Sequence, residues 1–257
     1  FLGWLVAKKL WDNSTAIKVA WSIALFPTLV SYSVLTMREV YISFFLLLAM
    51  YGIVNWVRFN NYKSLFLIFI GFVGATFFHG ASIIGLFVFI GVAILDSFKK
   101  TFKSLLTLHI NLQILITIFL FSFILGFYFT NKISLPYIQT FSKISDPEFL
   151  KETINLKVKG GAAYPEWTKI DSNIELFYKI PIRSIYFMFS PFPWDVIKKS
   201  HLVGVLDSFL YMILVYLIFQ NRKAIWKDPA LRIILIILLA YIIVYGVGVG
   251  NFGSGIR

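Results

Sequence analysis

Long apolar runs separated by short polar segments dominate the chain, and their lengths predict helices rather than strands. A helix that crosses the hydrocarbon core of a bilayer needs about 20 mostly apolar residues. Runs of that kind lie at 16–34, 40–56, 105–127, 202–219 and 231–249, and residues 1–7 read as the tail of another. The stretch 65–95 is different, because a helix of 31 residues would be roughly 46 Å long against a core of about 30 Å. A break is therefore expected at Phe78-His79-Gly80-Ala81-Ser82, with two short arms, 65–78 and 81–95, and the His79 turn slightly inside the membrane.

One long segment, 128–201, interrupts the alternation of runs and turns. Asp146-Pro147-Glu148 has the form of an N-cap, a proline in the first turn and an early acid, and opens a helix to about 156. Gly160-Gly161 break it, and a second helix is expected from about 171–172. Its apolar stripe, Ile174, Phe177, Ile182, Ile185 and Tyr186, with Lys179 and Arg183 alongside, reads as an amphipathic helix lying on a membrane surface. The expected fold is an all-α polytopic membrane protein of about seven spans plus a partial one, a single domain over 1–257 with the loop 128–201 within it. The chain begins at Phe1 inside an apolar run with no initiator Met, so it reads as a piece of a longer protein.

Composition strengthens this picture. Hydrophobic residues make up 59% of the chain and charged residues 14%, against roughly 45–50% and about 25% in soluble domains. Twenty-eight Phe, thirteen Tyr and seven Trp exceed what a soluble core of this size can hide. The absence of Cys excludes disulfides, thiolate metal sites and cysteine nucleophiles. A net charge of +12 would suggest nucleic acid in a soluble protein, but the charge is segregated by segment. Residues 8–18, 57–64, 96–104 and 220–232 carry Lys8, Lys9, Lys18, Arg58, Lys63, Lys99, Lys100, Lys103, Arg222, Lys223, Lys227 and Arg232. The short turns between them carry Arg38 alone, so the positive-inside rule places the basic set in the cytoplasm. Trp11, Trp56 and Trp226 sit at the same boundary. The Arg38 turn, the His79 turn, the segment 128–201 and the end of the chain, 250–257, then share the outer face. Membrane lipids are expected partners and nucleic acid is not.

Few residues carry candidate chemistry, and each has a bland alternative. Thr36 and Glu39 have capping-box spacing, so Glu39 reads either as a helix cap or as an acid in a site. Arg38 reads either as a residue reaching lipid head groups or as an anion ligand at a helix N-terminus. His79 is either a hydrogen-bonded residue at a helix break or an ionisable group facing a cavity. Arg183 is either surface charge or a ligand, and Asp195 either caps a helix starting near 196 or serves the site. Arg257 follows a glycine-dense tract that permits close approach of backbone to a ligand or simply turns the chain. Asp207 lies inside a span, where an acid is costly and needs a partner. His109, Asn111 and Gln113 read as interhelical hydrogen-bonding residues. No metal-ligand spacing, phosphate loop or nucleophile elbow occurs, so no metal and no cofactor is expected.

Four stretches carry a resemblance: 36–51 (TMREVYISFFLLLAMY), 77–84 (FFHGASII), 190–195 (SPFPWD) and 249–257 (VGNFGSGIR). In their order and common face they resemble the Wzy-type and EpsG-like polysaccharide polymerases of bacterial envelopes, which belong more widely with the GT-C membrane glycosyltransferases and O-antigen ligases. The resemblance implies an inner-membrane enzyme that polymerises oligosaccharide repeat units carried on undecaprenyl diphosphate, acting on the extracytoplasmic face without metal or cofactor. It implies His79 as base, with Glu39 or Asp195 behind it, and Arg38, Arg183 and Arg257 as ligands of the diphosphate. Chain-length regulators and flippases are the partner proteins that fit. Two other readings stay open: a GT-C transferase that uses a polyprenyl-phosphate sugar, and a flippase or transporter of lipid-linked glycans.

Overall fold

The structure, a computed structural model, describes residues 1–27, 29–30, 38–61, 63–104, 122, 147–158, 160–198 and 201–252. Among these, the α-helices are α1 (Leu2–Leu10), α2 (Asn13–Ala24), α3 (Arg38–Phe59), α4 (Lys63–Phe78), α5 (Ile83–Ser104), α6 (Pro147–Leu156), α7 (Asn173–Phe189), α8 (His201–Gln220), α9 (Arg222–Lys227) and α10 (Pro229–Gly248). Short 3-10 turns lie at Gly80–Ser82, Glu166–Thr168 and Pro193–Asp195. Extended pairing among the described residues is limited to an isolated bridge between Ala163 and Asn251. The fold is all-α, as the apolar periodicity predicts.

Three helices, α3, α8 and α10, are long and apolar enough to cross a membrane. They fall on the expected runs 40–56, 202–219 and 231–249. The expected run 105–127, with His109, Asn111 and Gln113, lies outside the described residues. The interrupted stretch behaves as its length requires: α4 ends at Phe78, His79 takes extended backbone, and a 3-10 turn leads into α5. The expected run 16–34 is interrupted, and its residues 28 and 31–34 lie outside the described residues. Asp12 caps α2, its side chain accepting from the Thr15 backbone N–H at 2.8 Å, and α2 stops at Ala24, short of Phe26-Pro27. A proline lacks the donor that would continue the ladder and disfavours helical backbone before it.

The centre of the bundle is α3 and α4 packed backbone to backbone. Between them Asn60 adopts φ 49°, a left-handed conformation that Asn tolerates. A Cβ on Gly71 would stand 2.6 Å from the Ala49 backbone nitrogen and 2.7 Å from the Phe45 carbonyl oxygen, so only glycine permits this approach. Ile53 and Ile68 then meet Phe72, Leu86, Phe89 and Ile90 of α4 and α5, and Ile233, Ile237 and Tyr241 of α10. A second cluster, Val6, Leu10, Val54 and Ala230, fastens α1 to the same bundle. At this end Asp228 forms an ion pair with Arg58 and caps α10 through Ala230 N–H at 2.9 Å.

α8 has its polarity inverted relative to a soluble helix. It buries His201, Gly204, Asp207 and Ser208 and exposes Leu202, Leu206, Phe209, Ile213 and Phe219. The opposite end of the bundle is covered by the segment containing α6 and α7. Asn155 holds it together, donating to the Ile170 carbonyl at 2.8 Å and accepting from the Ile170 N–H at 2.9 Å. The segment grips the end of α10: Tyr164 N–H donates to the Gly250 carbonyl at 3.0 Å and Phe252 N–H to that of Ala162 at 2.9 Å. The apolar stripe expected on α7 divides. Ile174, Phe177 and Ile185 point outward, while Tyr186 turns inward onto Tyr164, Trp167 and Phe192.

Candidate functional site

The starts of α3 and α5 and the end of α10 converge at the end of the bundle that the α6–α7 segment covers. Arg38 opens α3 with its side chain 57% exposed, and its Nε donates to Glu39 Oε1 at 3.3 Å. Thr36, the proposed capping partner of Glu39, lies outside the described residues. Glu39 also borders a cavity of about 270 Å3 walled by Ile23, Leu29, Val30 and Val40. The start of α3 is fixed against the His79 turn by aromatic stacking, Tyr41 on Phe78 with ring centres 4.9 Å apart. Phe45 adds a second stack on Phe78 at 6.0 Å.

His79 is half-buried and lies within electrostatic reach of Arg38, Lys157 and Glu39. Its Nδ1 is 3.4 Å from the Tyr245 hydroxyl, which is 3.3 Å from Ser82 Oγ. Tyr241, one helical turn earlier on α10, donates to the Ser82 carbonyl at 2.7 Å. Arg38 and Glu39 at the start of α3 thus lie beside the His79 turn, held there by the stack of Tyr41 on Phe78.

Lys157 joins them from the turn after α6. It is an exposed residue, yet the protein around its ammonium group pushes its pKa below the usual lysine value, and the nearby Arg183 guanidinium adds to the shift. Gly250 lets the backbone of Lys157 pack against the chain just beyond α10, since a Cβ there would stand 2.9 Å from the Lys157 carbonyl oxygen. The result is two accessible cations, an imidazole and a carboxylate around one turn, an arrangement suited to holding a diphosphate and moving a proton.

Arg183 requires a correction. It is fully buried, at 0% exposure. Its Nη1 donates to the Thr168 carbonyl at 3.2 Å, and its Nη2 to the carbonyls of Val247 at 3.3 Å and Val249 at 2.8 Å. Those last two are carbonyls at the C-terminus of α10, which has no further helical turn to satisfy them. Arg183 therefore caps α10 and ties it to the 166–168 turn, and a diphosphate would have to displace its carbonyl partners. Tyr164, with its ring centre 5.8 Å from the guanidinium, is pushed up to about 12 by burial.

Asp195 is corrected as well. It ends the 3-10 turn Pro193–Asp195 and accepts from the Phe192 N–H at 3.2 Å, while the next helix, α8, starts only at His201. Burial pushes its carboxyl above the usual carboxylate range, and its charge bears on Tyr186. Among the described residues its contacts lie with Phe192 and Tyr186. Arg257 lies outside the described residues. Among the described residues no three His, Cys, Asp or Glu side chains cluster as metal ligands.

Sequence reasoning missed Lys157, Tyr245 and the role of Ser82. Lys157 is one of many lysines in a long loop, with no local signal. Tyr241 and Tyr245, four residues apart in an otherwise apolar run, are a readable signal, because two hydroxyls on one face of such a helix need partners. No family model, no curated protein and no solved structure matches the chain.

Proposed function

We propose that this chain belongs to a multi-pass protein of the bacterial inner membrane, with about seven spans, that polymerises lipid-linked oligosaccharide repeat units on its extracytoplasmic face. The observation that carries the reading is the packing of the Arg38–Glu39 pair at the start of α3 against the His79 helix break, through the stack of Tyr41 on Phe78. Two features support the membrane setting: the inverted polarity of α8 and the twelve basic residues in the segments 8–18, 57–64, 96–104 and 220–232 against Arg38 alone in the short turns between them.

The donor is a growing glycan on undecaprenyl diphosphate, and the acceptor is a hydroxyl at the free end of a repeat unit on a second carrier. The acceptor gives its proton to a base of the Glu39–His79 pair, and its oxygen bonds to the anomeric carbon. The bond from that carbon to the diphosphate oxygen breaks and the diphosphate leaves with the electron pair. Fixed positive charge at the leaving group lowers the barrier most when it is held in place beforehand, and Arg38 and Lys157 supply it. The apolar cavity beside Glu39 accommodates part of the isoprenoid tail. Chain-length regulators and the flippase that delivers the units are the partner proteins that fit.

Deletion and complementation, read by gel electrophoresis of surface polysaccharide, test this function. Single repeat units without a ladder are the expected phenotype, and complete loss of surface glycan would indicate a flippase or an earlier transferase instead. Arg38→Ala and Lys157→Ala at normal expression are each expected to abolish chain extension. An intact ladder in both would remove the cations from the reaction.

A further inference from the structure

Resting on this reading, the polar chain behind His79 bears on which residue of the site is the base. His79 Nδ1 lies 3.4 Å from the Tyr245 hydroxyl, and that hydroxyl lies 3.3 Å from Ser82 Oγ. Ser82 is fully buried, and Tyr241 fixes its carbonyl. Tyr245 is held by its ring, stacked on Phe187 with 13° between the planes.

A neutral imidazole carries one N–H and one bare nitrogen, and the partner of either nitrogen decides which is which. A phenol is a stronger donor than an aliphatic hydroxyl, and an imidazole nitrogen is a stronger acceptor than a hydroxyl oxygen. The chain therefore runs from Ser82 Oγ–H to Tyr245 and from Tyr245 O–H to Nδ1. The ring is half-buried at the helix break, and a neutral ring that accepts at Nδ1 carries its proton at Nε2.

We propose that Tyr245 is a positioning residue: its hydroxyl donates to Nδ1 of His79 and holds the ring as the Nε2–H tautomer, a neutral donor to the departing diphosphate, which leaves Glu39 as the base. The proton of the acceptor hydroxyl passes to the Glu39 carboxylate while the oxygen–carbon bond forms. The carbon–oxygen bond to the diphosphate breaks, and the released charge falls on His79 Nε2–H, Arg38 and Lys157.

The test has two arms on the full-length protein in lipid nanodiscs. In the first, 15N NMR of labelled histidine, with the His79 signals assigned by their loss in His79→Gln, reads the tautomer without any reaction. A protonated Nε2 and a bare Nδ1 are expected, with the preference lost in Tyr245→Phe and kept in Tyr241→Phe. A protonated Nδ1 in the wild type, or no change in Tyr245→Phe, overturns the proposal.

In the second arm, chain extension is compared among His79 variants. Removing a single oxyanion donor costs about 10²- to 10³-fold in rate, and that loss is expected of His79→Ala. His79→Gln, whose amide donates a hydrogen bond, is expected to stay within roughly tenfold of the wild type, whereas Glu39→Gln abolishes the reaction. Equal loss in His79→Gln and His79→Ala means that His79 is the base and overturns the proposal. If the tautomer arm succeeds while the wild type extends no glycan, the proposed function fails and the positioning role stands.

Discussion

Arg183→Met is the perturbation that best separates a structural cation from a ligand. The side chain is fully buried and donates to three carbonyl groups, of Thr168, Val247 and Val249. Hydrogen bonds from a charged donor are worth roughly 1.5–3 kcal/mol each, and a buried polar group left without its partner costs about 1–3 kcal/mol. Against this, methionine relieves the desolvation of a charge that, among the described residues, has no carboxylate partner and no acceptor for its Nε, a cost of several kcal/mol. The difference comes to a net loss of about 3 kcal/mol, which in a chain of this size lowers Tm by roughly 6–12 °C. Thermal unfolding of the purified protein in detergent measures it. Limited proteolysis checks its location, because the 157–168 turn is expected to become susceptible before the bundle. A variant of unchanged Tm that has lost chain extension or diphosphate binding refutes the reasoning and returns Arg183 to the ligand set.

Two further outcomes follow from packing and exposure. Gly71→Val places a branched side chain where even a Cβ stands 2.6 Å from the Ala49 backbone, so it is expected to destabilise by about 3 kcal/mol or more; a Tm within 2 °C of the wild type, by roughly the same conversion, refutes the close approach of α3 and α4. On α7, Ile174 and Phe177 are 76% and 85% exposed, and in vesicles both are expected to lie in the interfacial layer. A fluorophore at Phe177→Cys is expected to be quenched by lipid-borne quenchers and to escape soluble ones, and the reverse pattern refutes that placement.

The parts of the fold that were legible in the sequence are those set by run length and local chemistry. The apolar runs of α3, α8 and α10 leave little choice of element, and the break at His79 follows from a stretch too long for one span. Pro147 and the Gly160-Gly161 pair bracket α6 for local reasons too. The extent of α2 was misread because an apolar count passes over Pro27, whose effect is steric. Arg183 and Asp195 were misread for another reason. Whether a cation lies on a surface or inside depends on what packs over it, and the carbonyls that hold Arg183 come from Val247 and Val249, more than sixty residues away. The nearness of the Arg38 and His79 turns was an expectation from charge alternation, and the stack of Tyr41 on Phe78 brings the two turns together. Lys157 was not, since only tertiary approach through Gly250 selects it from the lysines of its loop.

Lys157 beside the Arg183 guanidinium is under electrostatic load, and the load has a measurable sign. The Lys157 pKa is lowered by burial and by Arg183. In the interval between its folded pKa and the ordinary lysine value of 10.5 the unfolded chain therefore binds more protons than the folded one. Stability then rises with pH across that interval, the opposite of the behaviour of a lysine that gains an acidic partner on folding. Inorganic pyrophosphate, as a probe, brings a countercharge. At a hundred times its Kd, a ligand that binds only the folded state adds about 2.7 kcal/mol, a rise in Tm of roughly 5–10 °C. It also restores the Lys157 proton and flattens the pH dependence. In Lys157→Met both effects are expected to shrink together, because one charge causes both, and the ligand-free variant is expected to be no less stable than the wild type. Thermal melts over a pH series, with and without pyrophosphate, decide the matter. Stabilisation by pyrophosphate that survives intact in Lys157→Met refutes the assignment of this lysine to the anion site, and no stabilisation of the wild type refutes the anion site itself.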